Sequence, residues 1–368
     1  MTGHERLSSI VNHRAADRLS WTTLADTTCR SLLPPALRDR PVLDFYRAIG
    51  CDILQFGNFA LPPDQYVQMP FGRIGPTEVE TVTEPAGTHR TIVTSRWGTL
   101  ESAWRDGHPV KHPIANLADL NVGLNIWRET YVEELPGPKP EDSARRAVSA
   151  VGDDGLFMLT LEPSPVQQLI EMDIGLENFY YLLHDHPREL QALLDAMHAA
   201  RRREYQLIAA RMPVDVVCPV ENTSSTLTSP EIYQRYCLPQ ITDLVDIMHA
   251  HGKKVILHMC GLLRHLLPVI KRTGADGINA ATPPTVGDTP FEHILDVMGD
   301  DCVLLGALFN PDVFQKPGVT RDEIWRELDV TYTPRVRRAN MTLWLGVDGL
   351  PTPLERFEAV ADWFRENG

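Results

Sequence analysis

SPEIYQRYCLPQITDLVDIMHAHGKKVILHMCG, residues 229–261, contains one complete helix-to-strand unit of this 368-residue chain. Ser229 and Pro230 are the residue types that begin a helix, and Gly252 is the type that ends one. The apolar run that follows, residues 254–261, is typical of a buried strand. This unit decides the fold class because the same alternation recurs on both sides of it.

The alternation of strand and helix predicts a parallel sheet with helices packed outside it. Strands are predicted at residues 18–22, 51–58, 156–163, 214–222, 254–261, 276–284, 302–310 and 343–351. Eight such strands predict an α/β protein with a (β/α)₈ TIM-type barrel, whose active site lies at the C-terminal ends of the strands. Thr352 and Glu355 predict a capping box on the final helix.

One insertion interrupts this pattern. EVETVTEPAGTHRTIVTSRWG, residues 78–98, predicts a β-hairpin that turns at Pro85–Gly87 and lies between the second and third strands. We find neither an internal repeat nor a linker. Residues 1–368 are therefore interpreted as a single barrel domain.

Composition limits the classes of partner. The formal net charge of -14 disfavours a nucleic-acid groove or an anionic membrane surface, because both attract Lys and Arg. The first residues carry no apolar signal region, and no run of 18 apolar residues predicts a membrane span. We expect a cytoplasmic protein that acts on a small molecule, with a homodimer as the default assembly.

The end of the fifth predicted strand carries two metal-binding residue types. His258 and Cys260 share one face of that strand, with Cα atoms about 6.6 Å apart. Glu221, at the end of the preceding strand, is predicted to reach the same ion. Three protein ligands and one open position are typical of catalytic zinc. The alternative is a hydrogen-bonded core histidine and a buried thiol.

Other residues at strand ends are weaker candidates. Asp348 follows the eighth strand and could be a further ligand, a general base or a turn residue. Trp21, Phe56 and Asn58 are candidates for binding the substrate, although aromatic side chains near strand ends often belong to the core.

Three stretches resemble the uroporphyrinogen decarboxylase superfamily. They are HERLSSIVNHRAADRLSW at residues 4–21, the stretch at 229–261 quoted above, and GADGINAATPPTVGD at residues 274–288. This superfamily includes the decarboxylase itself and cobalamin-dependent methyltransferases and O-demethylases, and the resemblance implies the barrel fold. His258 and Cys260 match the zinc motif of the methyltransferase branch, and Glu221 matches an acidic position near that metal.

Two departures bear on the choice of branch. The decarboxylase has an RQAGRY-type motif after its first strand and an aspartate after its second, whereas this chain has SWTTLADTT and Asn58. The thiol-activating methyltransferases have a Gly-Cys pair after the last strand, and this chain has Gly346 and Val347 there. The resemblance thus implies a zinc ion held by Glu221, His258 and Cys260, completed by Asp348 or water.

We therefore expect a zinc-dependent methyltransferase of the corrinoid type. Its substrate would be a small methyl ether, amine or thioether, and the corrinoid, or cobalamin, would be supplied by a partner protein. Two alternatives stay open: a decarboxylase of a tetrapyrrole, and a non-catalytic protein that binds a tetrapyrrole or corrinoid.

Overall fold

The computed structural model describes residues 1–347 and 349–368. The strands are β1 Ser20–Leu24, β2 Ile53–Phe56, β3 Phe71–Ile74, β4 Glu78–Thr83, β5 His89–Ser95, β6 Gly98–Arg105, β7 His108–Lys111, β8 Tyr131–Glu134, β9 Gly155–Leu161, β10 Val216–Pro219, β11 Lys254–His258, β12 Gly277–Asn279, β13 Val303–Leu308 and β14 Met341–Gly346.

The helices lie mainly between these strands. They are α1 Gly3–Val11, α2 Pro35–Arg38, α3 Val42–Ile49, α4 Leu117–Glu129, α5 Lys139–Val151, α6 Pro165–Gln168, α7 Leu176–Asp185, α8 Pro187–Arg211, α9 Pro230–Ile232, α10 Leu238–His249, α11 Leu267–Ile270, α12 Phe291–Met298, α13 Pro311–Phe314, α14 Arg321–Thr331 and α15 Leu354–Asn367. Two π-helical turns, Leu169–Asp173 and Tyr233–Cys237, extend α6 and join α9 to α10.

Eight parallel strands form a nearly closed barrel. Their order is β1-β14-β13-β12-β11-β10-β9-β2, so β1 and β2 are the two edges that meet. At this seam the amide of Asp52 donates to the carbonyl of Trp21 over 3.0 Å, and the amide of Leu54 donates to Thr22 Oγ1 over 3.2 Å. The predicted (β/α)₈ barrel is confirmed.

The strands divide their side chains between two apolar layers. The inner layer fills the barrel, and its strand members are Leu54, Leu156, Met158, Val216, Cys218, Ile256, Val303 and Leu305. Leu7, Ile10 and Val11 of α1 join this layer, so α1 closes the N-terminal end of the barrel. The outer layer joins the strands to the helices and includes Val217, Val255 and Leu257. This division decides which residues can reach the axis at the open C-terminal end.

The insertion between β2 and β9 is larger than the predicted hairpin. The hairpin forms as β4 and β5, but β6 and β7 extend it to a four-stranded antiparallel sheet. Residues 108–111, which include Pro109, form β7 at its edge. Leu100 and Ala103 of β6 are buried, and β6 packs against α4.

The final helix begins differently from the prediction. α15 begins at Leu354 after the N-cap residue Pro353, which provides no side-chain cap. The hydroxyl of Thr352 instead donates to the carbonyl of Leu350 over 2.8 Å. The predicted capping box of Thr352 and Glu355 is therefore wrong, because the preceding turn uses the hydroxyl. Across the described residues, every helix is too short or too polar to cross a membrane.

Candidate active site

His258 lies at the open end of the barrel and faces the axis. It ends β11 and has the same parity as Ile256 of the inner layer. Its ring lies beside two aromatic rings, with centroid distances of 5.3 Å to Phe56 and 6.3 Å to Trp344. Phe56 and Trp344 are themselves 5.8 Å apart. At the mouth of the barrel, the imidazole of His258 therefore packs against the rings of Phe56 and Trp344.

Asn279 fixes the protonation pattern of this imidazole. Its Nδ2 donates to the carbonyl of Leu305 over 2.6 Å, which identifies the amide nitrogen and leaves Oδ1 facing Nδ1 of His258 at 2.6 Å. Because Oδ1 can only accept, Nδ1 must carry the proton. In the neutral form of the ring, the lone pair is therefore on Nε2. A histidine that binds a metal or accepts a proton through Nε2 requires this tautomer.

Gly306 makes room for Asn279. The pairing of β13 with β14 shifts between Leu305 and Ala307, and Gly306 adopts a left-handed φ of 82° there. A Cβ atom on Gly306 would lie 2.6 Å from Nδ2 of Asn279. Glycine is therefore required both for the backbone conformation and for the space that Asn279 occupies.

Cys260 lies two residues beyond His258 and is exposed. Its thiol donates to Oδ1 of Asn222 over 3.8 Å, while the amide of Asn222 donates to the carbonyl of His258 over 3.1 Å. Asn222 adopts a left-handed φ of 43° in this arrangement. Asn222 thus links the loop after β10 to the end of β11 and contacts Cys260.

Glu221 faces away from His258. The residue that pairs with His258 is Val220, so Val220 shares the inward face and Glu221 takes the outward one. Both carboxylate oxygens of Glu221 accept hydrogen bonds from Ser164, from its amide over 2.7 Å and from its hydroxyl over 2.8 Å. The sequence had predicted that Glu221, His258 and Cys260 share one site. In this structure Glu221 is not grouped with the other two residues.

Burial sets the electrostatics of Glu221. The side chain is 1% exposed, and desolvation raises its pKa to about 7, although the two hydrogen bonds from Ser164 favour the charged form. The carboxyl group therefore takes up or releases a proton near neutral pH inside the helix layer. It does so away from the mouth of the barrel.

The described donor set is incomplete for a catalytic zinc site. Within residues 1–347 and 349–368, no group of three or more His, Cys, Asp or Glu side chains is placed to hold a metal ion. His258 and Cys260 are two donors of the right type, and the Nδ1 hydrogen bond of His258 is the kind of support that zinc ligands usually have. A catalytic zinc site generally has a third protein ligand, and Glu221 does not supply it here.

The other predicted site residues divide between the mouth and the core. Phe56 lies at the mouth, as described above. Trp21 is 1% exposed and stacks on Phe364 at 6.1 Å, so it belongs to the outer layer and not to the mouth. Asn58 holds its own loop, because Oδ1 accepts from the amide of Val67 over 2.8 Å. Asp348 lies outside the described residues.

Sequence reasoning missed Asn279, Gly306 and Trp344. Asn279 is a polar residue inside the predicted strand 276–284, and this was a usable signal, because β12 ends at Asn279 and polar residues at strand ends line a barrel mouth. Trp344 and Gly306 offered none, because an aromatic residue or a glycine inside an apolar strand is ordinary in a core.

Three comparisons with known proteins agree with this architecture. The sequence model of the family described as uroporphyrinogen decarboxylase matches residues 166–336. The methylated-thiol–coenzyme M methyltransferase of Methanosarcina mazei is 27% identical over 206 residues, which cover 53% of each protein. The chain thus matches about half the length of this curated relative.

The third comparison concerns the fold alone. The solved structure of a methyltransferase from Methanosarcina mazei superposes with a TM-score of 0.61 and 16% sequence identity. The superposition covers 100% of this chain and 99% of that one. Over residues 166–336 the chain is therefore similar to the uroporphyrinogen decarboxylase family.

Proposed function

We propose that this chain is a methyltransferase that moves a methyl group between a small methylated compound and a corrinoid. The observation that carries the proposal is His258, which its hydrogen bond to Asn279 holds at the barrel mouth beside Phe56 and Trp344. The name of the methyltransferase relative supports the reaction class. The substrate would be a methyl ether, amine or thioether.

The residues of the mouth suit such a substrate. Phe56 and Trp344 present apolar surface that packs on a methyl group and keeps water from it. Aromatic rings also favour methylated cations, which carry their charge on the methyl groups. Nε2 of His258 can accept a proton or a hydrogen bond from the heteroatom that carries or receives the methyl group.

A corrinoid supplies the nucleophilic or methyl-carrying metal centre when it is bound. The open C-terminal end of the barrel is where it would meet the substrate. We propose that a separate protein presents it. The role of the chain is then to position the methylated compound and to exclude water around it.

Zinc has an incomplete set of ligands among the described residues, and we assign it no step. If zinc binds, His258 and Cys260 are the residues expected to hold it. Elemental analysis tests this directly. Zinc at one equivalent in the wild type that is absent from both Cys260→Ala and His258→Ala would support binding, whereas the same metal content in all three proteins would contradict it.

The reaction is tested with reduced cobalamin and a panel of methylated thiols, amines and ethers. Formation of methylcobalamin, followed by its absorbance, is expected with at least one donor. His258→Ala should lower the rate by roughly 100-fold. His251→Ala is the matched control, because His251 is exposed and lies at the other end of β11. Absence of methyl transfer with every donor would contradict the proposal.

The same assay separates the two alternatives. A tetrapyrrole decarboxylase would convert acetate side chains of a porphyrinogen to methyl groups, which mass spectrometry detects. A non-catalytic binding protein would change the visible spectrum of the corrinoid without any methyl transfer. Neither result is expected under the proposed function.

A further inference from the structure

A second candidate site lies at the opposite end of the barrel. A cavity of about 570 Å³ opens where the N-terminal ends of β1 and β14 meet the segment that follows α1. Its lining includes Arg14, Arg18, Arg337, Arg338, His13 and Asn340. This volume lies within the range of small-molecule sites, about 300–1,000 Å³.

The charge of this cavity is the reverse of that of the chain. Its lining contains four arginines and no Asp or Glu side chain, and the main-chain carboxylate of Gly368 also lies in it. The chain as a whole has 49 acidic and 35 basic residues. Four guanidinium groups around one cavity repel each other unless anions are close. The lining is therefore expected to attract an anion.

Two of the four arginines are already engaged. Nη2 of Arg18 donates to Asp52 over 3.0 Å, and Nη1 of Arg337 donates to the carbonyl of Asn367 over 3.0 Å. The carbonyl ends of α1 and α15 lie at this cavity and favour positive charge there. These partners and helix ends balance part of the positive charge of the cavity.

The other two arginines are not engaged in this way. In the described part of the chain, the guanidinium groups of Arg14 and Arg338 form neither an ion pair nor a hydrogen bond, and both side chains are exposed. His13 adds a neutral donor, because Nδ2 of Asn340 donates to the carbonyl of Asp300 and to Nδ1 of His13, each over 3.2 Å. The ring proton of His13 is then on Nε2.

We propose that this cavity binds a small anion that contains phosphate, such as a pyrophosphate group. Two guanidinium groups without carboxylate partners match two negative charges, and the planar fork of arginine suits phosphate oxygens. The net charge of -14 repels large polyanions at long range, but it is screened over roughly 8–10 Å at physiological salt. A small anion inside the cavity responds mainly to the arginines.

Calorimetric titration of the intact protein with inorganic pyrophosphate tests the proposal. One-to-one binding is expected for the wild type. The double variant Arg14→Ala with Arg338→Ala should bind roughly tenfold more weakly or worse. It should unfold at the same temperature as the wild type without pyrophosphate, because neither guanidinium has a partner to lose.

The control double variant, Arg128→Ala with Arg326→Ala, removes two exposed arginines elsewhere and gives the same change in net charge. It should keep the wild-type affinity. Equal weakening in both double variants, or no binding by the wild type, would overturn the proposal.

Two further titrations identify the source of the phosphate. Tighter binding of ADP than of pyrophosphate would assign the cavity to a nucleotide, whereas equal affinity would assign it to the phosphate group alone. Binding to phosphatidylglycerol vesicles without any binding of pyrophosphate would contradict the small-molecule site.

Discussion

His258 depends on a neighbour that takes no part in the chemistry itself. Asn279 is fully buried, and each end of its carboxamide has one partner, His258 on one side and Leu305 on the other. The amide can satisfy both partners in only one orientation, so the backbone of β13 determines which nitrogen of His258 carries the proton. Asn279 is thus a positioning residue.

Asn279→Ala is expected to let His258 populate both of its neutral tautomers. Nitrogen NMR of labelled imidazole should show the Nδ1–H form in the wild type and a mixture in the variant. The loss of two buried hydrogen bonds should also lower the free energy of unfolding by about 1–3 kcal/mol. Asn310→Ala is the control, because it removes another buried carboxamide and should leave the His258 resonances unchanged.

Glu221→Gln is expected to change how stability depends on pH. The folded-state pKa of Glu221 is about 7 and its ordinary value is 4.5, so the folded protein retains the proton through a window in which the unfolded chain loses it. The wild type should therefore lose roughly 3 kcal/mol of stability as pH rises from 4.5 to 7.

The glutamine variant lacks this titration and can still bond to Ser164 with its oxygen and its amide group. Urea unfolding at several pH values should show a smaller decrease for the variant. Parallel curves for the two proteins would mean that Glu221 is already ionised throughout the window.

At the scale of elements, periodicity predicted each barrel strand but not the face that each strand turns inward. Alternation gave Glu221 the parity of Val217 and gave His258 the parity of Ile256. Nothing in the sequence relates the parities of two neighbouring strands. The register of β10 on β11 does so, and it places Val217 in the outer layer and Ile256 in the inner one. A shift of one residue in the register of β10 on β11 would turn Glu221 to the face of His258. With the observed register, the two side chains lie on opposite faces of the sheet.

Gly306→Ala should disrupt the bulge of β13. The backbone at this position is left-handed, which alanine disfavours, and the added Cβ would meet the amide of Asn279. We therefore expect a loss of roughly 3 kcal/mol in unfolding free energy and the same NMR change as in Asn279→Ala. Gly318→Ala is a matched control. Gly318 has a φ of 68° with open space around it, so it should lose only about 1 kcal/mol.

At the scale of the whole molecule, the sequence predicted the barrel and the place of its insertion. It did not predict the size of the insertion, because the prediction rested on the turn at Pro85–Gly87 and stopped at residue 98. Asp106 and Gly107, which connect β6 to β7, were a further hairpin signal that the prediction did not use. His258, Cys260 and Phe56 were predicted as site residues from the sequence. The packing of Phe56 and Trp344 on His258 was not predicted, because it depends on contacts between strands that are far apart in the chain. Zinc and the corrinoid stay predictions.

Arg73 of β3 joins the two-stranded sheet of β3 and β8 to the barrel helix α8. This side chain donates to Glu204, which is 2% exposed, over 2.5 Å and to Glu162 over 2.8 Å. Arg73→Ala would leave Glu204 close to Arg201 alone, and we expect a loss of roughly 3–5 kcal/mol, measured by urea unfolding. Arg90→Ala, which breaks an exposed pair with Glu101 inside the inserted sheet, should leave stability unchanged within error.

The junction of β1 and β2 makes the barrel mechanically uneven. Seven neighbouring pairs of strands share a hydrogen-bonded ladder, whereas this eighth junction relies on a backbone bond at Asp52 and the hydroxyl of Thr22. The junction with the fewest hydrogen bonds between its strands is expected to open first. Breathing motions that widen the interior are therefore expected to start between these two strands, and deuterium should enter the amide of Leu54 sooner than amides in the middle of β11.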